Sequence, residues 1–255
     1  MATQNGSSYE NELRSVVTVN GNSFDIQFEC WLRLCPAAAN KETEVRPVWS
    51  KISEPWKIAF EEAWTAFQNG CTPIGGVLCC PDGTILLRDH NRSAEKDTIN
   101  RRISHAEANI LRRTDTDSVS DLHECILYTT MEPCPMCMGT CVMSNIRHLR
   151  YAARDPYCGF TCLKDREPYF ISKNLDYTTE GGDPELVQLT IQSIYELDYI
   201  ATGKSDKVLV QFDLIRSDAV RAAKMIRANG LHLKWQQENW PMSRVFDEIL
   251  TIAKG

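Results

Sequence analysis

Two helix starts, set on either side of one apolar strand, constrain this chain more than any other feature. The stretch Thr129–Cys141 reads TTMEPCPMCMGTC and holds Cys134 and Cys137 behind a Glu-Pro pair. Pro133, just before Cys134, helps fix a helix start here, and near a helix start residues i and i+3 project to one side. Free backbone N–H groups and the helix dipole stabilise thiolates at that end. The Cys-x-x-Cys spacing is that of a zinc thiolate pair. Upstream, SHAEANIL opens a second helix with His105 at its start and Glu107 two residues on. If both helices lie on one face of a sheet, their N-termini meet at the same edge. His105, Cys134 and Cys137 then occupy three corners of a zinc tetrahedron, with one Zn2+ per chain. Three protein ligands with an open corner is the catalytic pattern, and four is the structural one. Glu107 selects the first. Two thiolates neutralise the formal charge of the metal and leave an attached water less acidic, which a nearby carboxylate offsets by taking its proton.

The pattern around these helices predicts their setting. Pro55–Gln68 reads as a helix, with Trp56, Ala59, Phe60, Ala63, Trp64 and Phe67 at helical spacing. TPIGGVLCC, PDG and TILLRD read as strand, turn and strand. A polar loop, Asn91–Ser104, leads to the His105 helix. HECILYTT is a strand, CPMCMGTCVMSNI a helix and HLRYAA a strand. Strands separated by single helices imply an α/β fold around a mixed sheet covered on both faces. A further helix is expected near Pro184–Ile200. Beyond it, KVLVQFDLI reads as a strand, SDAVRAAKMIRANG as a helix stopped at Gly230, and PMSRVFDEILTIA as a last helix entered at Pro241. The expected organisation is a tail over 1–12, a hairpin and linker over 13–54, a core domain over 55–204 and a C-terminal extension over 205–255. Alternating Phe24, Ile26, Phe28 and Cys30 with the Asn20-Gly21 turn signal carry the hairpin.

Composition narrows the alternatives. No apolar run approaches a membrane span of about 20 residues, and the polar N-terminus lacks the basic start and apolar middle of a signal peptide. A cytoplasmic location is expected, or a nuclear one in a eukaryotic cell. The 11 cysteines are scattered, which fits reduced thiols with a metal site better than a disulfide framework. A net charge of −6 weakens, without excluding, a nucleic-acid partner that would be held by counterion release.

His-Ala-Glu followed by Glu-Pro-Cys-x-x-Cys resembles the zinc-dependent cytidine/deoxycytidylate deaminase superfamily. The resemblance is strongest to the branch holding tRNA adenosine, guanine and cytosine deaminases, and it covers roughly residues 55–200. TPIGGVL, HNRS, ILYTTMEPCPMC and YAARDPYCG carry it alongside the zinc motifs. It implies a three-layer fold with a five-stranded mixed sheet, commonly a homodimer. The implied reaction is hydrolysis of an amino-substituted ring carbon by water activated at zinc. Glu107 would be the proton carrier, and His105, Cys134 and Cys137 the ligands. Asn91 would contact the base, with Pro73, Ile74 and Arg102 as further substrate-binding candidates. Cys141 would be a core cysteine, because related enzymes usually have an apolar residue there.

These readings predict a deaminase of a nucleobase, nucleoside or related small heterocycle, with a slight lean to purines such as guanine or guanosine. The alternative is a tRNA adenosine deaminase or a subunit of an editing complex. Arg92, Lys96, Arg101 and Arg102 in the loop before His105 are read first as solvated charges. The sharper reading has Arg101 or Arg102 meeting a substrate phosphate or carboxylate. Where the tRNA enzyme has Pro-Thr-Ala before its histidine this chain has Arg102-Ile103-Ser104, a departure that argues against carrying RNA recognition over from the resemblance. Cys158 and Cys162 read as loop thiols, and Cys30, Cys35 and Cys79-Cys80 as packing thiols. Among the histidines outside the motif, His90 stands out because it precedes Asn91.

Overall fold

The computed structural model describes the backbone of residues 15–19 and 22–26, and residues 48–98, 100–119 and 121–255. Strands β1 (Ser15–Val19) and β2 (Asn22–Ile26) form an antiparallel pair with Val19 opposite Asn22. The expected hairpin is therefore present. Its Asn20-Gly21 turn, Phe28, Cys30, Cys35 and the tail over 1–12 lie outside the described residues. The contacts divide the chain at Glu42, and Thr43–Gly255 forms the second unit.

In that unit β3 (Gly75–Cys79), β4 (Ile85–His90), β5 (Ile126–Met131), β6 (His148–Ala153) and β7 (Asp176–Thr179) make one sheet in the order β4-β3-β5-β6-β7. β3 runs antiparallel to β4 and β5, whereas β5, β6 and β7 run parallel. This is the five-stranded mixed sheet expected. The fifth strand escapes pattern reading because DYTT is short and polar, and only Tyr177 in it is buried.

Helices cover both faces. α1 (Glu54–Gln68) carries the predicted stripe, and every residue named in it is buried. It lies directly on β3: a Cβ on Gly75 would come within 2.3 Å of the Ala59 carbonyl oxygen. α2 (Ala106–Arg113) and α3 (Pro135–Met143) pack on the other face, where Leu78, Ile110, Leu127, Met138, Cys141, Ile146 and Leu149 share a core. The one-turn helix α4 (Pro168–Ile171) precedes β7, and α5 (Gly182–Ala201) returns to the α1 side.

The remaining residues add an outer helical layer: α6 (Lys207–Ile215), α7 (Ser217–Ala228), α8 (Leu231–Gln237) and α9 (Met242–Lys254). KVLVQFDLI is thus a helix, which corrects the expected strand. Its apolar residues suit either period. In the fold Leu209 and Phe212, one turn apart, are buried, while Val210 and Leu214 face outward. α8 has no counterpart in the sequence pattern; it places Trp235 in the core. Trp64 of α1 stacks with Phe67 and donates from its indole nitrogen to the Trp240 carbonyl at 3.0 Å. Phe60 meets Phe246 edge-on at 5.1 Å. These contacts join the outer layer to the core through α1 and α5.

Candidate metal centre and active site

Each functional side chain here is placed by an element boundary. His105 sits at the N-cap of α2, and Cys134 at the N-cap of α3 just after β5. Cys137 follows one turn into α3 and is fully buried. The ligand atoms of these three residues lie within 4.8 Å of one another. His105 Nδ1 is 3.5 Å from the sulfurs of both cysteines. A tetrahedral zinc with bonds of about 2.0–2.1 Å to nitrogen and 2.3 Å to sulfur sets that edge at about 3.5–3.6 Å. The donor set and its spacing therefore fit zinc, as the sequence predicts.

The support around the ligands is equally specific. The Arg102 carbonyl accepts a hydrogen bond from the His105 ring, the arrangement that fixes ring orientation and basicity at metal sites. Hydrogen bonds from the Cys137 and Cys158 thiols, and then from the His105 ring, hold the Cys134 sulfur well below the usual thiol range. The hydrogen bond to Cys134 raises the His105 imidazole above its ordinary value. Contact with Cys134, together with burial, pushes the Cys137 thiol up.

Glu107 is 3% exposed. Its Oε1 accepts from Thr129 Oγ1 at 3.3 Å, and its Oε2 lies 3.3 Å from Cys137 Sγ. Burial pushes its carboxyl above the ordinary glutamate value. The carboxylate thus stands beside the three-donor cluster. Cys141 is absent from the cluster and packs among Met138, Ile146 and Leu149, as a core cysteine.

Asn91 follows β4 and is 3% exposed. Its N–H donates to the Ile74 carbonyl, and the next N–H, of Arg92, donates to the Ser104 carbonyl, one residue before His105. Asn91 Oδ1 accepts from the Ser93 N–H at 2.9 Å. The Pro73 carbonyl accepts from Gln188 Nε2 at 2.8 Å, and Ile74 packs against the core. Arg102 reaches the site through its backbone, with its residue as a whole exposed beside Arg101. Arg92 is occupied by ion pairs to Asp89 and Glu95 at 2.9 Å. His90 is a strut: its ring nitrogens lie 2.8 Å from Glu62 on α1 and 2.8 Å from Glu95.

Sequence reasoning gives no role to Glu132. This buried carboxylate accepts from the Asp155 N–H, the Thr161 N–H and the Thr161 hydroxyl. It ties the loop after β6 to the segment that begins the Cys134 helix. Its signal is its place before Pro133 and Cys134, where an acidic residue would otherwise be solvated. Nor does the sequence give Thr129 a role, although its position near the end of β5 puts it under Glu107.

A family model for the cytidine and deoxycytidylate deaminase zinc-binding region matches residues 50–153. A guanine deaminase of Bacillus subtilis is 31% identical over 120 residues, covering 47% of this chain and 72% of that protein. The chain belongs to the zinc-dependent cytidine/deoxycytidylate deaminase superfamily. Other relatives in the superfamily carry different names. A tRNA-specific adenosine deaminase of Bacillus subtilis is 38% identical over 104 residues, covering 40% of this chain and 62% of that protein. A cytosine deaminase of Candida albicans is 27% identical over 93 residues, covering 36% of this chain and 60% of that protein. The match to the tRNA-specific relative spans less than two thirds of its length. The residues matched by the zinc-binding-region model include all three donors, His105, Cys134 and Cys137. No described helix is long and apolar enough to cross a membrane.

Proposed function

We propose that the chain is a zinc-dependent hydrolytic deaminase of a nucleobase, nucleoside or related small heterocycle. It would replace an exocyclic amino group by a carbonyl and release ammonia. The observation that carries the proposal is Glu107, a buried carboxylate beside a three-donor cluster. Burying such a group is costly unless it is paired, neutralised or used, and a purely structural zinc site would have no need of it.

His105, Cys134 and Cys137 would hold the ion, and zinc there supplies a Lewis acid that brings the pKa of water toward neutrality. Glu107 accepts a proton from the attacking water at its carboxylate and delivers it to the ring nitrogen beside the reacting carbon. It then moves the second proton to the departing amine, so that water and amine exchange for carbonyl and ammonia. A carboxyl raised by burial exchanges protons closer to neutral pH than an exposed one. The Thr129 hydroxyl holds Oε1 in place during both transfers. Asn91, buried just after β4, donates from its side-chain amide to an acceptor on the substrate ring.

A small substrate is favoured over RNA by the net charge of −6 and by the use of Arg92 in internal ion pairs. The guanine deaminase relative supports a lean toward purines. The second reading is adenosine deamination in tRNA, alone or within an editing complex. It is favoured by the exposed Arg101-Arg102 pair just before His105 and by the tRNA-specific relative. A homodimer is part of the proposal. Met143, Tyr169 and Ile171 remain exposed, with the Tyr169 hydroxyl 3.8 Å from Met143 Sδ, and light scattering of the purified chain measures the state directly.

Ammonia release from zinc-loaded protein, measured across free bases, nucleosides, nucleotides and tRNA, tests the function. Release from a free purine is the expected result. Release from tRNA alone selects the second reading, and no release from any of them overturns both.

A further inference from the structure

Cys158 is exposed, yet the loop that carries it is hydrogen-bonded to the residue just before the ligand Cys134, the Phe160 N–H donating to the Pro133 carbonyl at 2.9 Å. The contact is built rather than incidental. Asp155 Oδ1 accepts from the N–H groups of Tyr157 and Cys158, at 2.9 and 3.0 Å. The Gly159 N–H donates to the Asp155 carbonyl. Glu132 grips both ends of the loop, at Asp155 and Thr161. Gly159 lies so close that a Cβ there would come within 2.5 Å of the Glu132 carboxylate. The segment carrying Cys158 is thus fastened to the residues just before Cys134. Cys158 does not join the donor cluster itself, which comprises His105, Cys134 and Cys137.

We propose that Cys134 and Cys158 form a peroxide-sensitive disulfide pair, with Cys158 as the resolving thiol, and that closing it releases the zinc. A zinc-bound thiolate is deprotonated outright, and a thiolate beside a resolving cysteine is the arrangement of redox-sensing sites. The Cys134 sulfur attacks one oxygen of hydrogen peroxide and the O–O bond breaks, giving a sulfenic acid and hydroxide once the proton is passed on. The Cys158 sulfur, losing its proton, then attacks the sulfenic sulfur. The S–O bond breaks, water leaves and the S–S bond forms. The two sulfurs together give up two electrons and peroxide accepts them, so the step balances with water and hydroxide as products. The metal is left with His105 and Cys137. Cys137 is the less suited resolving group, because it is itself held as a ligand and fully buried.

The inference rests on the metal site and not on which amine is removed. Its readout is the metal, so a failure to deaminate any substrate leaves it standing. Zinc-loaded full chain is treated with hydrogen peroxide while a metallochromic dye follows released zinc, and alkylated peptides are mapped by mass spectrometry. Wild type should release its zinc with appearance of a Cys134–Cys158 linked peptide, and dithiothreitol with zinc should restore the loaded form. Cys158→Ser, at an exposed position, should purify with zinc and lose most of the peroxide-driven release. An unchanged rate in Cys158→Ser overturns the proposal. So does a Cys134–Cys137 link in wild type, or X-ray absorption showing three sulfurs on zinc before oxidation. The peptide map of wild type decides the matter even if the variant folds poorly.

Discussion

Thr129 Oγ1 lies 3.3 Å from Glu107 Oε1, where the end of β5 passes beneath the first turn of α2. A hydrogen bond to a charged group contributes about 1.5–3 kcal/mol. Thr129→Val keeps the shape and removes the donor. We expect kcat to fall about 10- to 100-fold with KM and zinc content little changed. Steady-state kinetics with metal analysis checks this, and a variant with wild-type kcat would remove Thr129 from the mechanism.

Glu107 and His105 should separate chemistry from metal binding. Glu107→Gln is expected to keep about one zinc per chain and to lose about 10²- to 10⁴-fold in turnover, the usual weight of a positioned general acid–base. His105→Ala is expected to lose the metal and the activity together. Atomic absorption beside ammonia release distinguishes the two. Normal turnover by Glu107→Gln would end the proposed role.

His90 gives the fold a pH-dependent strut. Burial alone would lower its pKa, but hydrogen bonds to Glu62 and Glu95 outweigh it and the imidazole is raised above its ordinary value. A raised folded-state value means that the charged form is the one the fold favours. Its contribution is full below the unfolded value of about 6.5 and is lost as pH rises through the folded value. Denaturant unfolding of wild type and His90→Gln between pH 5.5 and pH 9 should show the gap between them narrowing with rising pH. A gap that widens would reverse the assignment.

Two glycines should respond in opposite directions. Gly75→Ala drives a Cβ to within 2.3 Å of backbone atoms of Ala59 and Ala63, so α1 must shift off β3. We expect marked destabilisation or failure to fold, read as a lower Tm or loss of soluble protein. Gly139 lies inside α3, and a Cβ there would meet nothing within 4 Å. At this position alanine should stabilise by about 0.5–1 kcal/mol through helix propensity. A destabilised Gly139→Ala would show that this face of α3 is covered in the assembled protein.

Much of this architecture can be read locally. The α1 stripe, the turn at Asp82-Gly83 and the two helix starts carry their own spacing, and the metal donors follow from those starts. Other parts depend on partners distant in sequence. KVLVQFDLI has apolar residues that satisfy a strand or a helix, and only packing against the α5 and α7 layer selects the helix. Arg102 draws attention by its charge, yet it meets His105 through a carbonyl that every residue possesses. Glu132 and Cys158 acquire meaning only when the loop after β6 folds back on the start of α3. No spacing within either segment encodes that return.

The aromatic arrangement has an optical consequence. Trp49, Trp56, Trp64, Trp235 and Trp240 all belong to the α1–α9 side of the sheet, within or against one core. Among the described residues, the face holding His105, Glu107, Cys134 and Cys137 has no tryptophan in its core cluster, and Trp31 lies outside them. The emission of these five tryptophans therefore reports how the outer helices seat on the domain, and events at the metal-donor face call for a label of their own.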